Sequence, residues 1–371
     1  MESTSPSSGP SVAKWVLGIV VVLIIVWIGY SRIGNNPPVA PGTAEAKTIK
    51  IGVVAPLTAG GSVFGNSFVD SIKLALADAT TTKNKYELVI EDDGTNPTQS
   101  VSAAQKLVNI DHVQALLVTT SGTGKATAPV AAAAKIPLVC VCTDTTVGDG
   151  VYTFTNLILP QTEATRWVAE AKAHGATSVA IIAQNHPGYN ALTNAVIPEL
   201  AKQGIKMTFD ERFEGKQTDF RTTIAKAKAT NSDLYFIPSF PPALEILGQQ
   251  LTDAGVKKMS STASFGSSAK PQVFEGLWYT DAGMADASFQ DRFEKVYPDV
   301  RFNVRTGPYG YDSFMMVVQG FEQGADVAKY LSSLTWFDGK AGHITKPTGG
   351  GNWDTTAKLY VIKNGKAHLA E

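Results

Sequence analysis

Residues 121–127 (SGTGKAT) have the composition of a phosphate-binding loop. A nucleotide-binding P-loop needs a glycine five residues before its Gly-Lys pair and a serine or threonine directly after the lysine, but Thr119 and Ala126 occupy those positions. The segment still opens a predicted helix, whose free N–H groups and dipole favour an anionic group such as a carboxylate. We therefore predict that Ser121, Gly122 and Thr123 contact a ligand. A simple helix cap by Ser121 is the alternative.

A second polar segment, Cys142-Thr143-Asp144, also follows a predicted strand. The carboxyl ends of parallel strands form the edge at which α/β sheets bind ligands, so this segment and the Ser121 loop should share a site. Its hydroxyl group could bind the same ligand, and Asp144 could face a cationic group. An ordinary turn carboxylate is the alternative for Asp144.

Other candidate patterns are incomplete. Asp92 and Asp93 are adjacent, but no histidine or third ligand is spaced to help them, which favours a structural turn. The five histidines are scattered, and the sequence contains neither a Gly-x-Ser-x-Gly elbow nor a His-Glu-x-x-His motif. These absences indicate a protein that is not an enzyme, and they predict no cofactor and no metal site.

The two cysteines of the chain, Cys140 and Cys142, are separated by one residue. This spacing places both side chains on one face of a predicted strand, where a mutual disulfide would be strained. A zinc site would need more cysteine or histidine nearby. We therefore expect two buried, reduced thiols in a core strand.

The composition is that of a folded protein. The 371 residues are 44% hydrophobic and 18% charged, and their net charge is -1. A body of roughly 320 residues is long enough for two domains. The sequence shows no clustered lysine and arginine stripe, so we expect no nucleic-acid partner.

An uncharged apolar run, residues 15–30, lies between Lys14 and Arg32. With Ser31 and the flanking cations it is long enough as a helix to span the ~30 Å hydrocarbon core of a membrane. A cleaved signal peptide is the rival interpretation, but no small-x-small site follows the run closely. We predict a short tail at residues 1–14, a transmembrane anchor at residues 15–31 and a Pro-rich linker at residues 32–47.

From Thr48 onward, predicted strands and helices alternate, which is typical of parallel sheets covered by helices. The first run of predicted elements comprises strands at 49–54, 86–91, 115–118 and 138–141 and helices at 67–79, 98–109 and 126–134. The second run comprises strands at 179–183, 206–209 and 234–237 and helices at 163–174, 191–203, 220–229 and 243–254. Two such runs predict an α/β fold with two doubly wound lobes.

Several segments, taken in order, resemble the type I periplasmic binding proteins of the leucine/isoleucine/valine-binding branch, which serve ABC importers. The resemblance covers roughly residues 48–370. It is carried by IKIGVVAPLTAGGSVFG (49–65), EDDGTNP (91–97), the Thr-Thr-Ser run ending at Ser121, KIPLV (135–139), TDFRTTIAKAKATNSDLYFI (218–237) and Gly-Tyr-Asp at 310–312.

The resemblance implies two parallel-sheet lobes that close on a ligand about three hinge crossovers. The crossovers would lie near residues 154–160, 280–283 and 338–342. The N-terminal lobe would then comprise residues 48–155 and 284–337. The C-terminal lobe would comprise residues 156–283 and 338–371.

The resemblance also implies a set of ligand contacts. Ser121 would hold a ligand carboxylate with help from the Cys142–Asp144 loop, and Phe64 would line the cleft from the first lobe. Tyr189 and Phe240 would line it from the second lobe, and Tyr311 belongs to the same implied set. The acidic residue that pairs with a ligand ammonium in this family aligns with Ser264, so that acid is missing. Either Asp144 supplies the charge, or the ligand lacks an amine.

On this resemblance we expect a single-pass protein of the cell membrane with an extracytoplasmic body. It would bind an amino acid or a related small carboxylate or amide and deliver it to ABC permease subunits. The alternative is a receptor that reports the ligand to a signalling partner in the membrane.

Overall fold

The computed structural model describes Glu2, residues 46–347 and residues 350–370. The predicted membrane anchor, residues 15–31, lies outside these residues. Within the described ranges no helix is long and apolar enough to cross a membrane.

The first part of the body alternates strands and helices as the sequence predicts. Its elements are β1 (Thr48–Ala55), α1 (Ser62–Asp78), β2 (Lys85–Asp92), α2 (Pro97–Asn109), β3 (Ala115–Thr119), α3 (Ser121–Ala134), β4 (Leu138–Val141) and β5 (Thr153–Asn156). Local signals set the helix starts. Asn96 caps α2 by accepting hydrogen bonds from the N–H groups of Thr98 and Gln99, and Pro97 supplies the first helical residue.

The second part repeats the alternation. Its elements are α4 (Pro160–Ala173), β6 (Ser178–Gln184), α5 (Pro187–Lys202), β7 (Lys206–Phe213), α6 (Arg221–Lys228), β8 (Leu234–Phe236), α7 (Ala243–Asp253), β9 (Met259–Thr262), α8 (Ser264–Ser267) and β10 (Trp278–Ala282). The last part comprises α9 (Ser288–Val296), α10 (Gly307–Glu322), α11 (Val327–Ser333), β11 (Trp336–Gly339), β12 (Gly342–Thr345), β13 (Asn352–Trp353), β14 (Ala357–Lys363) and β15 (Lys366–Leu369).

Two large sheets organise these elements. The first has the strand order β13-β5-β4-β3-β1-β2, and the second has the order β15-β14-β10-β9-β8-β6-β7. The neighbouring strands of the first sheet pair in parallel, as do those from β6 to β10 of the second, while β14 pairs antiparallel with both β10 and β15. The predicted parallel α/β architecture is therefore confirmed.

Helices cover both faces of each sheet. Side chains of α1, α10 and α11 pack with one face of the first sheet, and those of α2 and α3 pack with the other. On the second sheet, α4 and α5 cover one face, and α6 and α7 cover the opposite face. We call each sheet with its helices a half of the body.

The chain passes between the halves three times. It leaves the first sheet after β5, returns after β10, and leaves again after β13. The third passage differs from the expected one at residues 338–342. Strand β13 still pairs with β5, and Phe337, Ile344 and Trp353 are buried in the core of the first half. The passage therefore lies between β13 and β14, because this short strand completes the edge of the first sheet.

Candidate functional site

A cavity lies between the two halves and bounds about 490 Å³ of space not filled by protein, part of it open to solvent. Hydroxyl groups line one part of it, from Thr119, Thr120, Ser121, Thr143, Thr262 and Thr306. The apolar and aromatic part comprises Phe64, Val141, Leu157, Tyr189, Leu192 and Phe240. Cys142, His186, Gly188, Ala263 and Arg305 complete the lining. The cavity lies where several strands of both sheets end, which is the edge that the sequence predicts.

Ser121 begins α3 at this edge and is buried. Thr120, at a φ of 71°, is the cap residue of α3, and its hydroxyl accepts a hydrogen bond from the N–H of Thr123 at 3.4 Å. The Ser121 hydroxyl oxygen accepts hydrogen bonds from the N–H groups of Thr143 at 3.2 Å and Asp144 at 3.0 Å. The two predicted ligand-binding loops are thus joined through one serine. Its oxygen is occupied, and its proton remains to be donated.

Aromatic rings from both halves meet at the cavity. Phe64 of α1 and Phe240, which follows β8, have ring centroids 5.3 Å apart in an edge-to-face contact. Tyr189 and His186, at the start of α5, each have centroids 4.9 Å from that of Phe240. Burial raises the pKa of Tyr189, so its hydroxyl stays protonated. These rings form an apolar wall suited to a flat or branched hydrocarbon group.

A buried ion cluster lies behind the hydroxyl side of the cavity. Arg305 precedes α10 in the first half, and its side chain is only 8% exposed. Its Nε donates to Asp281 Oδ1 at 3.0 Å, its Nη2 donates to Glu163 Oε1, and its Nη1 donates to Thr143 Oγ1 at 3.3 Å. Glu163 and Asp281 belong to α4 and β10 of the second half, so Arg305 bridges the two halves.

The cluster holds one cation against two buried carboxyl groups. Burial raises the pKa of Glu163 to about 7, although the charge of Arg305 acts in the opposite direction. Burial also raises the pKa of Asp281, again opposed by Arg305. One oxygen of each carboxyl, Oε2 of Glu163 and Oδ2 of Asp281, has no hydrogen-bond partner among the described residues. A single guanidinium therefore compensates only part of this buried charge.

Six of the predicted ligand contacts line the cavity, namely Phe64, Ser121, Cys142, Thr143, Tyr189 and Phe240. Sequence reasoning missed Arg305 and its two partners, because they come from three distant segments and share no local pattern. It also missed His186. The available signal was the position of His186 at the start of a helix, close to the predicted contact Tyr189.

Five other predicted contacts do not line the cavity. Gly122 lies in the first turn of α3, where an added Cβ would be 3.2 Å from His186 Nε2. Thr123 donates its hydroxyl proton to Asp93 Oδ2 at 2.5 Å, inside the turn that Asp93 organises. Ser264 is buried, where it donates to the carbonyl of Thr262 at 3.0 Å.

Asp144 is a turn carboxylate, as the alternative interpretation holds. It accepts hydrogen bonds from the N–H of Thr146 at 3.0 Å and from its hydroxyl at 2.7 Å. Lys125 lies 3.2 Å from its other oxygen. Burial raises the pKa of Asp144, but the bonds from Thr146 and Lys125 outweigh burial and hold it below its usual value. This carboxylate is thus engaged outside the cavity.

Tyr311 is also placed elsewhere. It lies on α10, and its hydroxyl donates to Asp78 Oδ2 at 2.8 Å on α1. Lys340 Nζ stands 5.7 Å from the centroid of its ring. These contacts give Tyr311 a role in packing helices of the first half and not in lining the cavity.

The prediction of two free thiols is wrong. Cys140 and Cys142 form a disulfide, with Cα atoms 5.3 Å apart. That separation is within the ordinary range for disulfides, and Cys142 lies just beyond β4, where the backbone no longer follows strand geometry. The described residues contain no other cysteine, and no cluster of His, Cys, Asp or Glu among them could hold a metal ion.

Comparison with known proteins agrees with this architecture. A family model described as periplasmic binding protein matches residues 48–367. A Leu/Ile/Val-binding protein homolog 2 of Brucella abortus is 26% identical over 236 residues, which are 59% of this chain and 61% of that relative. The chain thus aligns with less than two thirds of the relative's length.

Solved structures share the fold at low identity. The leucine binding protein LivK of Thermotoga maritima has a TM-score of 0.79 at 20% identity, covering 87% of this chain and 98% of its own. A solute binding protein of an ABC transporter from R. palustris, in complex with 4-hydroxybenzoate, has a TM-score of 0.75 at 19% identity, covering 88% and 96%. The protein LivJ of Streptococcus pneumoniae, in complex with isoleucine, has a TM-score of 0.77 at 19% identity, covering 88% and 99%.

Proposed function

Because this chain belongs to the periplasmic binding protein family, we propose that it is a solute-binding protein that captures a small molecule in the cavity between its halves. Families of this kind bind and do not convert their ligands. The observation that carries the proposal is the cavity itself. Both halves contribute to its lining, and Ser121 presents an uncommitted hydroxyl proton opposite an aromatic wall.

The related proteins define a starting panel of ligands. The structural relatives include a leucine binding protein and complexes with isoleucine and with 4-hydroxybenzoate. These ligands are small carboxylic acids with an apolar body, with or without an amine, and we propose a ligand of the same kind for this chain. The mixture of hydroxyl groups and aromatic rings in the cavity lining suits such molecules.

Thermal unfolding and calorimetry of the full chain in mild detergent test this proposal. A panel of amino acids, their amides and matched carboxylic acids should contain at least one compound that binds with one-to-one stoichiometry. At a concentration of 100 times Kd it should stabilise the protein by about 2.7 kcal/mol. If the whole panel leaves the melting temperature unchanged and native mass spectrometry detects no co-purified small molecule, solute binding in this cavity is contradicted.

We further propose that the chain is anchored in the membrane by residues 15–31 and delivers its ligand to an ABC permease. The apolar run and the Pro-rich linker in the sequence support this arrangement. Affinity purification of the tagged full chain from its native membrane should recover permease and ATPase subunits. Recovery of a sensor kinase or chemoreceptor in their place would favour the signalling alternative and overturn the transport role.

A further inference from the structure

The polar groups that line the cavity can be sorted into donors and acceptors. The oxygen of Ser121 already accepts hydrogen bonds from two N–H groups, so this hydroxyl can still donate its proton to a ligand. Thr143 Oγ1 accepts from Arg305, and its proton is likewise available. The hydroxyl of Thr262, which is 1% exposed, has no partner among the described residues. These three residues line the cavity, and each has a hydroxyl proton that can be donated to a ligand.

Arg305 adds N–H donors beside Thr143, and its charge is shared with the carboxyl groups of Glu163 and Asp281. A guanidinium has five N–H donors, and the bonds to Asp281, Glu163 and Thr143 use three of them. One N–H on each terminal nitrogen makes no bond to the described residues. Because the guanidinium is anchored by two carboxyl groups, it is held in place without the ligand, and binding loses little side-chain entropy.

No carboxylate among the described residues lines the cavity. Asp144, the candidate counter-charge for an ammonium, is paired with Lys125 outside it. Glu163 and Asp281 lie behind Arg305 and are not part of the lining. A ligand ammonium would thus be desolvated beside a guanidinium, which costs several kcal/mol without a paired negative charge.

The rest of the wall is uncharged. Phe64, Tyr189 and Phe240 pack together, and Leu157 and Leu192 extend the apolar surface. His186 Nδ1 accepts from the N–H of Gly188 at 3.3 Å, and burial lowers the pKa of His186 to about 4, so this ring is neutral at physiological pH. An aromatic or branched hydrocarbon body fits this side.

We infer that the ligand is a carboxylic acid without an amino group and with an aromatic or branched apolar body, and that Arg305 selects it through its carboxylate. This inference rests on the proposed solute-binding function and names its substrate class. Arg305, Ser121, Thr143 and Thr262 bind the carboxylate. The aromatic wall holds the hydrocarbon body.

Matched ligand pairs test the inference on the unmodified full chain in detergent. The pairs are leucine with 4-methylpentanoate and phenylalanine with 3-phenylpropanoate, and 4-methylpentanamide serves as the uncharged comparison. Calorimetry should show each acid binding at least about 100-fold more tightly than its amino acid, since the ammonium has no counter-charge. The acid should also bind at least about tenfold more tightly than the amide, which gains less from the guanidinium.

The outcomes separate the two proposals. If leucine or phenylalanine binds as tightly as the matched acid, the inference about the ligand class is overturned while solute binding stands. If the amide equals the acid, the role of Arg305 is overturned. If nothing in the full panel binds, the solute-binding function fails, and this inference fails with it.

Variants test whether Arg305 produces the preference for acid over amide. Arg305→Met alone would leave Glu163 and Asp281 buried without a cation, so it is combined with Glu163→Gln and Asp281→Asn to remove all charges together. The preference for acid over amide should fall to within about threefold in this triple variant, because the guanidinium is gone. Arg305→Lys keeps the charge and should retain part of the preference.

Arg292→Gln is the control. It removes a guanidinium paired with Asp78 outside the cavity and should leave the preference unchanged. A folded triple variant that keeps the full acid preference would contradict the assignment, as would loss of the preference in the Arg292 control.

Discussion

At the scale of single residues, the cavity is lined by polar side chains that bond to the protein and still keep a hydrogen-bond donor unused. Ser121 joins two loops through its oxygen and keeps its proton. Arg305 is fixed by carboxyl groups of the opposite half and keeps N–H donors. These side chains are thus held in place by the protein itself, and on the proposed function this would limit the entropy lost on ligand binding.

Ser121→Ala should weaken binding of the tightest panel ligand by about 10- to 100-fold, because a hydrogen bond to a charged group contributes about 1.5–3 kcal/mol. Calorimetry measures the change in Kd. Ser102→Ala is the matched control, since Ser102 is an exposed helical serine bonded to the carbonyl of Thr98. An unchanged Kd in Ser121→Ala would mean that this serine serves only as a structural link between the two loops.

Glu163→Gln should change how stability depends on pH. The pKa of Glu163 is raised to about 7 in the folded protein, against about 4.3 for an ordinary glutamate. Between these values the folded state holds a proton that the unfolded state has released. Stability is therefore lost as pH rises through this window, by up to about 4 kcal/mol. Chemical denaturation from pH 5 to pH 7.5 should show this decline in the wild type and a smaller one in the variant.

The exposed strand residue Glu87 supplies the control for this experiment. Glu87→Gln should follow the wild-type pH profile, because it does not touch the buried cluster. Equal slopes in the wild type and in Glu163→Gln would show that Glu163 does not carry the pH dependence.

At the scale of elements, the starts of α3 and α5 approach each other across the cavity. A Cβ added to Gly188 would lie 2.8 Å from Ser121 Oγ, so the absence of a side chain at Gly188 permits the approach. The two helices belong to different sheets. Their contact is therefore one that exists only when the halves lie close together.

Gly188→Ala should act as a wedge between these helices. We expect ligand affinity to fall at least about tenfold, while the ligand-free melting temperature changes by no more than a few degrees, because the new methyl group mainly opposes closure. Calorimetry measures the ligand affinity, and thermal unfolding without ligand measures the melting temperature. Asn194→Ala, at an exposed position of α5, is the control and should bind as the wild type does. Wild-type affinity in Gly188→Ala would show that the approach of α3 and α5 is not needed for binding.

At the scale of the whole molecule, three chain passages join the two sheets. Asp354, at the third passage, accepts hydrogen bonds from the Leu159 N–H at 2.8 Å and the Thr162 hydroxyl at 2.6 Å at the first passage. Neighbouring passages are thereby tied together. If the protein closes on a ligand as we propose, these linked passages would form its hinge region.

The proposed anchor gives a whole-molecule prediction. The full chain should fractionate with membranes and resist alkaline extraction, and its intact mass should include residues 15–31, because an apolar helix of this length partitions strongly into the bilayer. Deleting residues 15–31 should release the protein. Deleting residues 35–46 of the linker should not. A mature protein that lacks the apolar run would instead identify it as a cleaved signal peptide.

The sequence by itself determined the alternation of strands and helices and the placement of the Ser121 loop at a strand end, since periodicity, caps and turn residues act over a few neighbouring positions. The resemblance added Phe64, Tyr189 and Phe240, which the structure brings to one wall. Tertiary structure alone decided the direction of Asp144, the packing role of Tyr311 and the bond between the cysteines.

The charged residues of the site show most clearly the difference between what the sequence determines and what the tertiary structure decides. Arg305, Glu163 and Asp281 are separated by 142 and 24 residues along the chain, and each looks like an ordinary surface residue in its own segment. They form a buried ion cluster only when α4, β10 and the segment before α10 converge and exclude water. The buried carboxyl groups then hold the Arg305 guanidinium in place beside a cavity that no described carboxylate lines. Electrostatic interactions depend on distance in space and on solvent, and the order of residues specifies neither.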